Sequence, residues 1–365
     1  MTTRGGSMHT VASEPAVLER RLGDYHEVTM AEVLDIVGYL RDDGDSVIVG
    51  GSLAIGLGNG LSDLDVVVAG RETPASQVPL EHWVKSLRVD VWLRSQRDVD
   101  ALFERAESAL ASERPLQGAF GSVDEEQELK LLHRVAFGLH WDGPELVPST
   151  RDYRDIARDL LVREYAERMR ESACVATLAH TAGRDRAAAV NARLAVEEAM
   201  QAVLAARGHP WSGDKWLQVR LQDHESECHD LYRPYAVLPE PGSDVGGFAG
   251  GAAELAERMT GVDLALERLA PLFAWSPAGL RSFSLGDERV LVATEPGMLW
   301  RLEEAEAAAW ARLVDRYGEE GPWPAAECDP TEASLAVELY ERGVVGMAWS
   351  RGVTAAELAQ VGEWS

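Results

Sequence analysis

The chain has 365 residues, of which 46% are hydrophobic, so it is long enough for two or three domains with sizeable cores. Its formal net charge of −26 repels polyanions, and no basic stripe runs along the sequence, so we expect no general nucleic-acid binding. No apolar run approaches the length of a membrane span, and residues 1–14 lack the apolar core of a signal peptide. We therefore expect a cytoplasmic protein without membrane contact.

The first 145 residues predict helices alternating with short strands. Residues 1–14 are small and polar, and residues 1–25 are expected to form a flexible tail ahead of a first domain over 26–145. Apolar residues at helical spacing predict a helix over 26–41. Valine-rich stretches predict strands, and the remaining patterns predict helical segments. The strands lie near 46–50, 64–69 and 87–93, a helical turn lies at 81–85, and helices lie over 97–112 and 122–139.

Two carboxylates stand at the start of the second predicted strand. Asp63 and Asp65 are two positions apart, and such residues point to the same face of a strand. Carboxylates beside buried valines are costly unless a cation lies between them, and Mg²⁺ prefers oxygen ligands of this kind. Asp90, in the middle of the third predicted strand, would complete a two-metal site for phosphoryl chemistry. Taken singly, Asp63 could instead cap a turn, and Asp90 could pair with Arg88 or Arg94.

A glycine-rich turn follows the first predicted strand, at Gly50-Gly51-Ser52. Glycines let backbone N–H groups approach a phosphate closely, and the N-terminus of the short helix predicted from Ser52 onward favours an anion. The Ser52 hydroxyl can cap that helix or donate to a phosphate oxygen. The same residues could also form an ordinary turn.

The ordered set of Gly51 and Ser52, then Asp63 and Asp65, then Asp90 resembles the signature of nucleotidyltransferases of the DNA polymerase β superfamily. This resemblance implies a nucleotidyltransferase fold, a small mixed sheet with helices, within an α+β chain. It also implies that the three aspartates bind two Mg²⁺ ions and act in catalysis. Gly51 and Ser52 would bind the phosphates of an NTP, with ATP expected, whose nucleoside monophosphate moves to an acceptor as pyrophosphate leaves.

A helical domain is predicted over residues 146–242. The stretch 151–207 is almost continuously helix-forming and is broken near 181–184, which predicts an αα-hairpin. A further helix is predicted from residue 212 onward.

This helical region resembles the helical domain of antibiotic-type nucleotidyltransferases. The resemblance implies that Lys215 reaches the triphosphate. It also implies that one of two glutamates on the preceding long helix, Glu197 or Glu198, acts as the base that deprotonates the acceptor hydroxyl, and Glu197 is the one we select. In the alternative interpretation, Lys215 only packs its stem at a helix start, and Glu197 pairs with Arg193 one turn earlier.

The C-terminal region differs in character. Several glycines at 243–251 predict a linker before a domain over 252–365. This domain is predicted to contain two strands, two helices and a last strand, at 289–293, 298–302, 303–317, 332–342 and 343–349. Over 300–310 and 339–345 the pattern resembles a winged helix of the PqqD-type peptide-recognition domains, which implies that an extended peptide adds to a sheet edge. The alternative is a packing appendage or a dimerisation domain.

The expected acceptor is a small hydroxylated molecule, such as an antibiotic or its precursor, because the helical region resembles antibiotic-modifying enzymes. A cationic acceptor would suit an acidic protein. The alternatives are AMP transfer onto a protein or peptide recruited by the C-terminal domain, synthesis of a nucleotide signal from NTPs alone, and a binding module without turnover.

Overall fold

The computed structural model describes most of the chain. The described residues are 15–71, 73, 75–76, 78–112, 116, 125–142, 145–209, 211, 216–223, 233, 235–236, 238, 242, 244–264, 273–275, 281–285, 288–293, 298–317, 327–342, 346–348 and 358. They form helices together with a six-stranded, a three-stranded and a two-stranded sheet, which confirms the predicted α+β class. None of the helices within these ranges is long and apolar enough to cross a membrane.

The described residues group into two compact units that are discontinuous in sequence. The first unit comprises residues within 1–111, 120–161 and 204–226, and the second comprises residues within 112–119, 162–203 and 227–365. Two long helices each contribute to both units. The linear domain boundaries predicted from the sequence stay predictions.

The first unit is built around the six-stranded sheet. Its elements, with the two shared helices α6 and α7, are α1 (Pro15–His26), α2 (Met30–Gly38), β1 (Ser46–Gly50), α3 (Gly51–Ala54), β2 (Leu64–Gly70), β3 (Leu80–Val84), β4 (Leu87–Ser95), α4 (Gln96–Ala111), α5 (Glu125–Phe137), β5 (Leu139–Asp142), β6 (Glu145–Pro148), α6 (Arg151–Thr181), α7 (Asp185–Ala206) and α8 (Leu217–Asp223). The strand order is β3-β4-β2-β1-β5-β6. Strands β2 and β4 are parallel, and the other neighbouring pairs are antiparallel.

Alternation along the central strands divides the sheet into two faces. On β2, Leu64, Val66 and Val68 are fully buried in a core shared with residues of α1 and α2. Since successive residues of a strand point to opposite faces, Asp65 points away from this core. Helices α4 and α5 contact β2 and its neighbours β4 and β1. The alternation therefore separates an apolar face from the face that carries the aspartates.

Helix α1 corrects the prediction of a flexible tail for residues 15–25, and residues 1–14 of that predicted tail lie outside the described residues. Pro15–His26 are helical, and Leu18 and Leu22, one turn apart, are fully buried. Proline is favoured at the first helical position because its missing N–H has no helical partner there. The many charged residues around this leucine pair concealed the apolar face in the sequence.

Strand β3 corrects the prediction of a helical turn at 81–85. Leu80–Val84 pair antiparallel with β4 across a tight turn in which Lys85 has a φ of 54°. Val84 is the one buried residue of this strand. Edge strands often carry charged and polar side chains that prevent pairing with other chains, so the apolar pattern of this short strand was weak in the sequence.

The second unit contains the C-terminal elements and most of α6 and α7. Those elements are α9 (Val245–Thr260), β7 (Phe273–Trp275), β8 (Arg281–Leu285), β9 (Glu288–Ala293), β10 (Met298–Leu302), α10 (Glu304–Tyr317), α11 (Pro330–Glu341) and β11 (Gly346–Ala348). The predicted order of hairpin, two helices and final strand is present. Strand β8 adds to the hairpin, and β11 pairs with β7. Trp310, Leu313 and Leu335 lie in the core between the two helices and the hairpin.

Helix α9 corrects the prediction of a linker at 243–251. Asp244 caps the helix, since its Oδ1 accepts a hydrogen bond from the N–H of Gly247 at 2.9 Å. A Cβ on Gly246 would lie 2.7 Å from Nε2 of His180 on α6. Close approach between two helices, rather than chain flexibility, therefore accounts for this glycine.

Four charged side chains, which we call the Glu332 cluster, join α10 to α11. They are Arg312, Arg316, Asp329 and Glu332. Glu332 is only 1% exposed, and its Oε1 accepts from Arg312 Nε at 3.0 Å while its Oε2 pairs with Arg316. The backbone N–H of Asp329 also donates to Glu332 Oε2, in a capping box at the start of α11. Each oxygen of Glu332 is therefore satisfied.

Helix α6 carries a fully buried thiol at Cys174. Burial raises the pKa of this thiol well above its usual value, because the apolar surroundings disfavour the thiolate.

Candidate active site

Asp63, Asp65 and Asp90 meet on the face of the six-stranded sheet that points away from the α1 and α2 core. Asp65 and Asp90 lie directly opposite each other in the parallel pairing of β2 with β4. Asp63 immediately precedes β2, two residues before Asp65, and so points to the same side. The register of the sheet thus brings together the three carboxylates that the sequence singled out.

Arg88 joins two of these carboxylates. Its Nη2 lies 2.5 Å from Oδ2 of Asp63 and 3.2 Å from Oδ2 of Asp90. Arg88 stands two positions before Asp90 on β4, which places both side chains on one face. The ion pair between Arg88 and Asp90 that the sequence allowed is present, and it extends to Asp63.

Arg134 on α5 pairs with the third carboxylate. Its Nε lies 3.0 Å from Oδ1 of Asp65, and its guanidinium carbon lies 5.2 Å from the centre of the Trp92 ring. The Trp92 Nε1–H also donates to Asp65 Oδ1, at 3.3 Å. We call the three aspartates with Arg88 and Arg134 the aspartate cluster. Arginine side chains thus place positive charge beside all three carboxylates.

Two of the three carboxylates of the cluster are poorly solvated, whereas the Asp63 side chain is 36% exposed. Asp65 is 8% exposed and Asp90 is 7% exposed. Burial raises the pKa of Asp65 even though the neighbouring Arg134 lowers it. Burial likewise raises the pKa of Asp90 against the opposing effect of Arg88. The arginines therefore do not fully compensate the cost of burying these charges.

The Gly50-Gly51-Ser52 turn packs directly against Asp65. Gly50 lies opposite Asp65 in the pairing of β1 with β2. Gly51 has a φ of +83°, and a Cβ there would lie 2.7 Å from Oδ2 of Asp65. Ser52 is buried in the four-residue helix α3. Position 51 therefore favours glycine, because any other residue would adopt a strained φ and would have to displace the Asp65 carboxylate.

The aspartates fit a divalent cation in their chemistry. Oδ1 of Asp90 is buried and has no hydrogen-bond partner, so one ligand oxygen is available in a place that already holds positive charge. Within the described ranges, no group of three or more His, Cys, Asp or Glu side chains is arranged to hold a metal ion. In the cluster, one oxygen of each aspartate lies beside an arginine nitrogen.

The other two predicted site residues are Glu197 and Lys215. Glu197 belongs to the second unit, where it accepts a hydrogen bond from the Tyr235 hydroxyl at 2.7 Å and lines a cavity of about 460 Å³ with Arg193 and Val190. Burial and this hydrogen bond raise the pKa of Tyr235 to about 12. Lys215 lies outside the described residues. Both assigned roles stay predictions.

Three residues of this region were missed in the sequence. Trp92 is two positions after Asp90, a spacing that places it on the same face. Glu81 lies opposite Asp90 on the other side of β4, which became evident only once β3 was known to be a strand. Arg134 comes from a helix far along the chain, and no local pattern connects it with Asp65.

Comparison with known proteins gives little further information. The chain matches no profile of a known protein family, and a search of curated protein sequences finds no significant match. Among solved structures, a nucleotidyltransferase-like protein from Exiguobacterium sibiricum is similar at 15% identity and a TM-score of 0.28, over 68% of this chain and 82% of that chain. A likeness at this score does not assign the chain to a family, so the evidence for function lies in the aspartate cluster.

Proposed function

We propose that this protein is a nucleotidyltransferase that moves a nucleoside monophosphate from an NTP, with ATP preferred, to a hydroxyl of a small-molecule acceptor. The observation that carries the proposal is the meeting of Asp63, Asp65 and Asp90 on one sheet face against the Gly51 turn. The sequence pattern of these residues resembles that of nucleotidyltransferases. The buried oxygen of Asp90 that has no partner is an available ligand atom for a cation.

The aspartates would hold two Mg²⁺ ions, which stabilise the charge that develops on the entering and leaving oxygens of a phosphoryl transfer. Asp63 and Asp65 would bind both ions, and Asp90 would complete the site nearer the acceptor. Gly51 and Ser52 would hold the terminal phosphates. Lys215 is a proposed additional phosphate ligand, on the resemblance of its segment alone.

The proposed reaction is a single displacement at the α-phosphorus. The acceptor hydroxyl oxygen forms a bond to this phosphorus, and the bond from it to the oxygen bridging the α- and β-phosphates breaks. Pyrophosphate leaves with that electron pair. The hydroxyl proton passes to a general base, a role proposed for Glu197 on the resemblance of its helix alone.

A nucleotide titration tests the site. Each NTP with Mg²⁺ is titrated calorimetrically into the wild type and into Asp63→Asn/Asp65→Asn. Asp24→Asn/Asp35→Asn is the matched control, because it removes two charges from exposed positions of α1 and α2. We expect Mg²⁺-dependent binding of one NTP to the wild type and the control, with affinity at least about 100-fold weaker in the site variant. Equal binding to all three proteins would refute the proposed site.

The titration also identifies the nucleotide for an acceptor screen. Pyrophosphate release is then measured with panels of hydroxylated small molecules, cationic ones first, because the net charge of −26 favours them. Release that requires both an acceptor and the intact aspartates supports transfer. Release from the NTP alone would indicate synthesis of a nucleotide product without an acceptor.

A further inference from the structure

Arg88 holds the two carboxylates between which a cation is proposed to bind. One nitrogen of its guanidinium contacts both Asp63 and Asp90. Guanidinium is always charged in proteins, so this position is positive at every pH of interest. A divalent ion on the same oxygens would repel the guanidinium, and both cations would compete for the same lone pairs.

The two arginines of the aspartate cluster differ in how easily their side chains can move away from the carboxylates. The Arg88 side chain is 40% exposed, and the carboxylates of the cluster are its partners. The Arg134 side chain is only 19% exposed, and its guanidinium lies beside the Trp92 ring while it pairs with Asp65. A long, half-exposed side chain can move into water at little cost, whereas a packed one cannot. Arg88 is therefore the arginine that can be displaced.

We propose that Arg88 is an internal counterion that competes with the divalent cation for Asp63 and Asp90, and so sets the cation concentration at which the site loads. This inference rests on the proposed function, since it takes the aspartates as cation ligands. Without an ion, Arg88 keeps two neighbouring carboxylates from facing each other uncompensated. With an ion bound, the displaced guanidinium stays on the same sheet face, where it is chemically suited to bind phosphate oxygens.

The inference predicts that removing Arg88 improves cation binding. Mn²⁺ binding is measured in the absence of nucleotide, from the electron paramagnetic resonance signal of free Mn²⁺. We expect Arg88→Gln to bind Mn²⁺ about tenfold more tightly than the wild type, because no ion pair must then be broken. Arg97→Gln is the matched control, because it removes the same charge from an exposed position of α4. Its affinity should stay within about twofold of the wild type.

Arg88→Lys separates competition from a structural role. Lysine keeps the charge but loses the planar fork, so we expect an affinity between those of the wild type and Arg88→Gln. Tighter binding in Arg88→Gln that disappears when Asp63→Asn is added supports the inference. Unchanged or weaker Mn²⁺ binding in both Arg88 variants overturns it, as does an absence of Mn²⁺ binding in every protein tested.

The two proposals fail in different experiments. Nucleotide binding that is equally strong in the wild type and in Asp63→Asn/Asp65→Asn would refute the proposed function whatever the Mn²⁺ affinities are. A wild type that binds nucleotide through Asp63 and Asp65, combined with Arg88→Gln that gains no Mn²⁺ affinity, would refute only the counterion role.

Discussion

The aspartate cluster of the first unit and the Glu332 cluster of the second are built from the same kinds of side chain. In the Glu332 cluster, two arginines and a backbone N–H satisfy both oxygens of one buried glutamate. In the aspartate cluster, two arginines are shared among three aspartates, and Oδ1 of Asp90 is left buried without a partner. The aspartate cluster therefore has fewer arginines per carboxylate than the Glu332 cluster. It also leaves one buried carboxylate oxygen without a hydrogen-bond donor, whereas both oxygens of Glu332 have donors.

The pKa values of the buried carboxyl groups also differ between the two clusters. Burial alone would raise the pKa of Glu332, but the Asp329 N–H and the two arginines lower it. Burial raises the pKa of both Asp65 and Asp90, and their arginines do not reverse the change. A fully satisfied cluster is expected to stabilise the fold, whereas a buried and under-compensated one marks a position at which a ligand is expected.

The largest expected difference between the clusters is in stability. Glu332→Gln should lower the free energy of unfolding by about 2 kcal/mol, because two charge-assisted hydrogen bonds are lost at a buried position. Asp90→Asn should change it by less than about 1 kcal/mol, because one Asp90 oxygen has no partner to lose and its burial is costly. Urea denaturation without divalent ions measures both. Equal losses of unfolding free energy in the two variants would show that the two clusters contribute equally to stability.

The Gly51 turn tests how tightly the aspartate cluster is packed. Gly51→Ala should destabilise the protein by about 2–3 kcal/mol, since it combines a positive φ with a clash against Asp65. Gly44→Ala is the control, because Gly44 has a φ of +96° and open space around its Cβ position. We expect a loss of about 1 kcal/mol there, from strain alone. Indistinguishable losses in the two denaturation curves would mean that Asp65 moves away easily.

A smaller expected effect is the pH dependence of the stability that Glu332 contributes. Because the folded-state pKa of Glu332 is lowered, its stabilisation is present above the ordinary glutamate pKa and is lost as the pH falls through the lowered value. The difference in unfolding free energy between the wild type and Glu332→Gln should be constant above about pH 5.5 and shrink in more acidic buffer. A difference that grows in acid would contradict the assigned pairing.

The smallest expected effect concerns Trp92. Trp92→Phe should cost about 0.5 kcal/mol of stability, because the ring beside Arg134 is kept and one long hydrogen bond to Asp65 is lost. Trp83→Phe, at a position that is 63% exposed on β3, is the control and should be nearly neutral. Thermal or urea unfolding measures both variants. A Trp92→Phe loss well above 1 kcal/mol would mean that the aspartate cluster contributes to folding as much as the Glu332 cluster does.

The sequence allowed prediction of those features that depend on local pattern. The strands predicted near 46–50, 64–69 and 87–93 correspond to β1, β2 and β4. Valine-rich runs of this length are typical of buried strands and are too short for most helices. Spacing by two residues likewise placed Asp63 with Asp65. Their meeting with Asp90 depends on the parallel register of β2 with β4. The sequence suggested only that Asp90 lies on a neighbouring strand, and the direction and register of that pairing come from the structure.

Features that depend on contacts distant in sequence could not be predicted in this way. Arg88 carried a usable signal, since it stands two positions before Asp90. Arg134 carried none, because its distance from Asp65 is set by how α5 packs across β1 and β2. The glycines of α9 indicated a linker in the sequence, but in the structure Gly246 instead permits contact with His180.

The fully buried thiol on α6 gives the protein an internal reporter. Cys174 has no exposed surface and a raised pKa, so it has neither the access nor the thiolate that alkylating reagents require. Its modification, followed by mass spectrometry of the peptide that contains it, would report opening of that helix and not surface reactivity. Labelling rates across the variants above would then measure how often each protein unfolds under native conditions, without denaturant.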